Sequence, residues 1–205
     1  MNDTASSAMF GNTGSHLPRK VFHIVAASII PAVYYFEILP RAWTFAGVLA
    51  VTAVWVGADL ARVKLGLFSS LFERFFGILM KAKETRELTG SSFLLIGASL
   101  TLAVYTATIA SASLLFNAIG DPIAALIGTK LGSKRFSNGK SLEGAAAMFI
   151  VCVAIGALTL GLGPVALAGA FAAAITELAS PDWIDDNLSV PLVSGGVMTA
   201  MEIAL

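Results

Sequence analysis

The chain has 205 residues, of which 57% are hydrophobic and only 13% charged, with 13 Lys and Arg balancing 13 Asp and Glu. Its mean hydropathy of +0.82 rules out a soluble domain of this size and marks an integral membrane protein. Zero net charge and the lack of a basic tail at either end argue against nucleic acid as a partner.

Residues 1–18 form a polar stretch without the basic start or small-residue cleavage site of a secretory signal, and read as a leader or interfacial segment. Residues 19–205 read as a single transmembrane domain. A helix rises about 1.5 Å per residue, so a hydrocarbon core of about 30 Å takes roughly 20 apolar residues. On that ruler Val21–Leu39 and Ala42–Ala58 are the first two spans. Next, Phe68, Leu71, Phe72, Phe75, Phe76 and Leu79 repeat at helical spacing, with Glu73, Arg74, Lys81 and Lys83 mostly on other faces. This pattern predicts an amphipathic helix lying in the interface.

The run Leu88–Ile119 contains no charge and is too long for one crossing, which predicts a fold-back near Thr108–Ser113. Gly144–Thr176 predicts a further hairpin turning at the Gly-Leu-Gly-Pro of 161–164, and Leu188–Leu205 a seventh span. The expected fold is therefore an all-α polytopic membrane protein of about seven transmembrane helices and one interfacial helix. Cys152, the lone cysteine, lies in an apolar segment and reads as an inert core residue. With the N-terminus inside, twelve of the thirteen Lys and Arg fall on the cytoplasmic side, Arg41 being the exception.

A carboxylate inside hydrocarbon is costly unless paired, solvated or protonated. Asp59, Asp121 and Glu177 are the three such residues, all near cytoplasmic helix ends in this topology. Asp121 lies between Gly120 and Pro122, which predicts a broken helix whose free backbone groups face a cavity or a ligand. Gly128 and Gly132, four apart, would allow a neighbouring backbone or a bulky ligand to approach closely. Lys130, Lys134, Arg135 and Lys140 follow within eleven residues, with Ser-Asn-Gly as a turn and Ser141 as the N-cap of the next helix. Cations, free amides and a carboxylate able to hold a divalent metal suit a metal–polyphosphate. No P-loop is present. On these residues alone, a nucleotide site and a merely topogenic positive loop stand as equal alternatives.

The stretch "GDPIAALIGTKLGSKRFSNGKSLEGAAAMF" resembles the signature of the CTP-dependent lipid kinases, the family of dolichol kinase, phytol kinase and fungal-type diacylglycerol kinase. Its Gly-Asp pair, its two glycines four apart and its Lys-Ser and Glu-Gly after a basic loop carry the likeness. "RKVFH" at 19–23, "RELTGSSFLLIG" at 86–97 and "ITELASPDWIDDNLSVPL" at 175–192 agree with it in order. The resemblance implies transfer of the γ-phosphoryl group of CTP to a membrane alcohol, most readily diacylglycerol, else a polyprenol or phytol. It also implies Mg2+ dependence.

By matching position, the resemblance implies Asp121 and Glu177 as metal ligands, with Asp185 and Asp186 as further metal or base candidates. Arg19, Lys20, Gly128, Lys130, Gly132, Lys134, Arg135, Lys140, Ser141 and Glu143 would hold the nucleotide. His23 lies one turn inside the first span on the face of Arg19. Glu84, Glu87 and Thr89 form a polar group at the entrance to the third span. Asn187 reads as a helix cap, with Asp185 and Asp186 at the positive end of the last span.

A phosphatidate cytidylyltransferase would share the setting, but its Lys-Asp pair and His-Gly-Gly block are missing, His16 and His23 being the only histidines. A small transporter would line a path through both leaflets, whereas the polar residues here crowd one face. The glycine-rich faces of spans five and six suggest a homo-oligomer contact.

Overall fold

The computed structural model describes residues 16–76, 82–181 and 183–205, with backbone alone at 16–19, 73, 82 and 83. Leu79 and Lys81 of the expected amphipathic helix lie outside the described residues, as do the side chains of Arg19, Glu73 and Lys83. Helix α1 runs His16–Tyr35, α2 Arg41–Leu65, α3 Ser69–Phe76 and α4 Gly90–Val104. Helix α5 covers Ala107–Leu131, α6 Leu142–Thr159, α7 Pro164–Ala179 and α8 Asp186–Ala204. The architecture is all-α. Helices α2, α5 and α6 are long and apolar enough to cross a membrane, and α4 and α7 are shorter apolar helices.

The local chemistry accounts for the ends. Helix α2 stops where Gly66 takes a left-handed conformation at φ 68° and its N–H bonds back to Arg62 O, a conformation that costs glycine nothing. Thr89 caps α4 and Ser141 caps α6, each side-chain oxygen accepting an amide of its first turn. The α6–α7 turn falls at Leu160–Gly163 as expected, with Gly161 at φ 82° and Pro164 opening α7. The described part of helix α3 has 8 residues, about 12 Å at 1.5 Å per residue. On this described part and just before it, Phe68, Leu71 and Phe75 are exposed while Phe72 is buried against Trp55, the two-faced pattern expected of an amphipathic helix.

Three expectations are corrected. Helix α5 is not broken at Asp121. It passes through one π turn, Phe116–Gly120, and continues with Pro122 in the first turn of the following α segment. Widening the ladder just before the proline accommodates its missing N–H without ending the helix. Because α5 continues, the fold-back comes earlier, at the extended pair Tyr105–Thr106. Finally, α1 takes in His16–Pro18, three residues assigned to the leader.

Three glycines of α6 and α7 make close approaches inside the chain. A Cβ on Gly144 would stand 2.7 Å from Ala124 O, one on Gly156 3.0 Å from Ala166 Cβ, and one on Gly169 2.4 Å from Met198. These close approaches draw α6 onto α5, α6 onto α7 and α7 onto α8. The core where they meet contains Ile109, Phe116, Met148, Cys152, Ala170 and Met198.

Because successive helices alternate in direction, the acids and cations collect at one end. The start of α6, the end of α7 and the start of α8 meet there through Lys140, Glu177 and Asp186. At the other end Tyr35 Oη donates to Thr159 O at 3.3 Å, joining the far ends of α1 and α6.

Candidate active site

Lys140 is the centre of the polar end. Its loop turns at Phe136–Gly139, with Phe136 N–H donating to Lys140 O and Gly139 at φ 77°. Asn138 ties that turn to the end of α7: its Nδ2 donates to Leu178 O at 2.9 Å and to Ser180 O at 3.2 Å, while its Oδ1 accepts from Lys140 N. The tether delivers the Lys140 ammonium to Asp186 Oδ2 at 2.9 Å, Glu177 Oε1 at 3.4 Å and the Glu177 carbonyl. Burial works against the charge on Lys140, but Asp186 and Glu177, joined by Asp121, outweigh it and hold the ammonium above the ordinary lysine value. Lys20, on α1, also interacts electrostatically with Asp121. The structure thus gathers five expected site residues from four helices and one loop: Lys20, Asp121, Lys140, Glu177 and Asp186.

Three carboxylates around Lys140 leave the cluster electronegative, and Asp186 Oδ1 is buried with no hydrogen-bond partner among the described residues. A divalent cation would satisfy both conditions. Among the described residues no three His, Cys, Asp or Glu side chains form a ready cage. Magnesium fits such an open arrangement, since it takes one or two protein carboxylates and completes its shell with phosphate and water.

The remaining expected residues divide into two neighbouring groups. The first joins α5 to α6. Arg135 donates to Gly139 O and Gly128 O, and Glu143 Oε1 accepts from the backbone and hydroxyl of Ser133. Ser141 Oγ accepts from Gly144 N, so that amide of the α6 N-terminus is held by the chain itself. The Ser141 hydroxyl is 3.0 and 2.8 Å from a Cβ built on Gly128 and Gly132, and the Gly128 carbonyl is closer still to the one on Gly132. Of the two expected approaches to these glycines, a neighbouring backbone or a bulky ligand, the structure shows a neighbouring part of the chain packed against them. Lys130 and Lys134 are exposed at the rim.

The second group is built on Asp59, which is fully buried. One of its oxygens takes Arg62 Nε at 2.9 Å and Nη2 at 2.7 Å. The other takes Thr89 N and Oγ1 and Ser92 Oγ. Arg62 continues to the carbonyls of Thr85 and Glu87. Asp59 therefore binds α2 to the start of α4, and Thr89 acts as the α4 cap. Glu87 contributes its carbonyl while its side chain is exposed.

Asp185, rather than Asn187, is the cap of α8: its Oδ1 accepts from Asn187 N at 3.0 Å. A residue after two aspartates already lies in the first turn, so its amide is the one to be capped. The Asn187 side chain instead reaches inward, accepting from Asn117 Nδ2 at 3.0 Å and donating to Asp185 Oδ1 at 2.8 Å.

Beside this group lies a cavity of about 290 Å³ between α1, α2, α3 and α4. His23, Glu84, Thr89 and Asn187 form part of its wall, and Ile30, Leu94 and Leu95 part of its apolar remainder. Sequence reasoning missed Asn117, Asn138, Arg62 and Trp55. Asn117 had a detectable signal, as an amide four residues before Asp121 in an otherwise apolar run. Asn138 and Trp55 had none, because a turn asparagine and a tryptophan in a span are both ordinary.

The chain is an all-α membrane protein with a cluster of acids and cations at one end and an apolar cavity whose wall includes Asn187, the neighbour of Asp186 in sequence. The sequence is 31% identical to a phytol kinase of Synechocystis over 193 residues, covering 88% of this chain and 77% of that one. It is 27% identical to CTP-dependent diacylglycerol kinase 1 of Schizosaccharomyces pombe, covering 87% of this chain and 89% of that one. It is also 33% identical to an uncharacterised protein of Rickettsia prowazekii, covering 85% and 88%. No family model matches the sequence, and no solved structure is detectably similar to it. The chain belongs to the CTP-dependent lipid kinase family, and is a phosphotransferase with an alcohol group as acceptor.

Proposed function

We propose that this protein transfers the γ-phosphoryl group of CTP to the hydroxyl of a membrane-embedded alcohol, at a site facing the cytoplasm. The observation that carries the reading is the convergence of Lys140 on Asp186 and Glu177 with Asp121 close by, next to a cavity suited to an oily acceptor. The positive-inside distribution of Lys and Arg supports the orientation.

In this reading Lys140 and Lys20 neutralise the triphosphate, and exposed Lys130 and Lys134 draw it in from solution. Asp121 and Glu177 hold magnesium, which when bound neutralises the phosphate oxygens. Asp186 is one residue from Asn187 on the cavity wall and receives the hydroxyl proton through its unpartnered Oδ1. The alcohol oxygen bonds to the γ-phosphorus, the bond from that phosphorus to the β–γ bridging oxygen breaks, and CDP leaves. The chain supplies position and charge, which is most of what phosphoryl transfer asks of a protein.

The experiment is incubation of purified protein with radiolabelled CTP, Mg2+ and a panel of lipid alcohols in detergent. Release of CDP with a phosphorylated lipid is expected. Release of pyrophosphate from a phosphatidic acid substrate would make the protein a cytidylyltransferase and end the proposal.

A further inference from the structure

We infer that the cavity beside Asn187 is the acceptor site and that it is built for an ester-bearing lipid, a diacylglycerol, rather than an isoprenoid alcohol. This rests on the lipid-kinase reading above. Its volume, about 290 Å³, is at the lower end of the ~300–1,000 Å³ usual for small-molecule pockets. It therefore has room for a glycerol backbone and the first part of one chain, with the remainder left to the bilayer. Glu84 and Asn187 mark a polar part of the wall, and Asn187 leads directly to Asp186 of the phosphoryl-transfer cluster.

Trp55 selects the substrate class. It lines the cavity, and its buried indole N–H has no hydrogen-bond partner among the described residues. A buried donor without an acceptor is costly, and Phe72 and Phe76 flank the ring with aromatic carbon. Trp55 lies four residues, about 6 Å along the helix, before Asp59, the residue fastened to Thr89 at the start of α4. Gly90, next to Thr89, donates its amide to Glu84 Oε1. The Trp55 backbone is thus about one helical turn deeper than the Glu84 level, and its side chain lines the cavity from there. A diacylglycerol with its free hydroxyl at that level presents its ester carbonyls a few bonds deeper, where Trp55 can donate to one. A polyprenol or phytol has a single oxygen, which the reaction places at the γ-phosphate, and nothing to offer Trp55.

The test has two readouts. Kinetics come first: Trp55→Phe is expected to raise the KM for diacylglycerol about 5–30-fold, the loss of one buried hydrogen bond. It should leave the KM for CTP and the rate with phytol within about twofold. On the wild type, a dialkylglycerol, which lacks ester carbonyls, should show the same deficit, with no further loss in Trp55→Phe. Equal losses on esters and isoprenoids, no loss on diacylglycerol, or a wild-type preference for phytol would overturn the inference.

The second readout needs no turnover. In a Trp43→Phe/Trp183→Phe background, which removes the two strongly exposed tryptophans, Trp55 fluorescence is titrated with a diacylglycerol brominated on its acyl chain. Saturable quenching, displaced by diacylglycerol but not by phytol and abolished by Ala26→Phe, which puts a ring into the cavity from its α1 wall, is expected. Unsaturable quenching, or equal displacement by phytol, overturns the inference even if no alcohol is phosphorylated, so its failure can be told from failure of the kinase reading.

Discussion

The contact between Lys140 and Asp186 decides whether the active site is also part of what holds the helix ends together. Lys140 is 20% and Asp186 24% exposed at the side chain, 2.9 Å apart, and Glu177 is only 6% exposed. Exposed pairs are worth about 0–1 kcal/mol, and removing one partner of a fully buried pair costs about 3–5 kcal/mol. At one-fifth exposure, Lys140→Met is expected to cost about 2–3 kcal/mol, because it leaves Asp186 and Glu177 facing each other without their cation. Asp186→Asn in the same chain removes half of that repulsion. The double-mutant cycle should therefore show a coupling of about 1–2 kcal/mol. The assay is equilibrium unfolding in mixed micelles followed by tryptophan fluorescence, at 0.1 and 1 M salt. A sheltered pair keeps its coupling at high salt, whereas a solvated one loses it. A coupling below about 0.5 kcal/mol, or one that disappears in salt, would show the pair to be solvated and refute the argument that it helps hold the helix ends together.

Four further outcomes follow from the same structure. Asp121→Asn should lower turnover at least ~100-fold with unfolding unchanged within ~0.5 kcal/mol, read by CDP release and the same unfolding assay. Asp59→Ala leaves Arg62 buried without its carboxylate and should cost about 3–5 kcal/mol of stability, while the folded fraction keeps its KM for CTP. Gly144→Ala sets a methyl 2.7 Å from the Ala124 carbonyl, a backbone atom that cannot swing aside, and should cost about 1–3 kcal/mol in the unfolding assay. Removing divalent cations with EDTA should abolish CDP release, and magnesium should restore it.

Much of the fold was legible because hydrocarbon imposes simple rules. The all-α architecture, the turn at Gly161–Gly163 and the Ser141 cap all follow from apolar segment length and from the chemistry of glycine, proline and serine. The Asp121 region was not, because Gly-Asp-Pro reads locally as a breaker. The π turn that absorbs the proline is stabilised by packing against Met148 and Cys152, whose sulfur-bearing side chains stand 3.0–3.1 Å from a Cβ built on Gly120. That is a tertiary effect no local pattern contains. In the site, the sequence supplied Asp121, Lys140, Glu177 and Asp186 but could not rank them against Asp59, Arg135 and Glu143. All are charged residues near helix ends, and only their partners distinguish them: Arg135 and Glu143 turn back on their own loop, while Lys140 is carried across to another helix by Asn138.

That tether explains how a loop of four cations can serve one pocket. A cation on a free loop at the membrane surface would be solvated and pair with whichever anion was near, phosphate lipids included. Arg135 is occupied by carbonyls and Glu143 by Ser133, so the loop is a rigid clip rather than a flexible basic arm. Within it, Lys140 is the cation buried deeply enough to lose much of its hydration, and its three neighbouring acids keep it charged. In its less hydrated setting each charge contact of Lys140 is stronger than those of the solvated Lys130 and Lys134 at the rim. The acids also prevent it from binding an anion unless a second positive charge accompanies that anion. A metal–nucleotide complex meets this requirement and a bare lipid phosphate does not. Under the proposed function, the cluster that would carry out transfer would thereby also select its donor against anionic lipid headgroups.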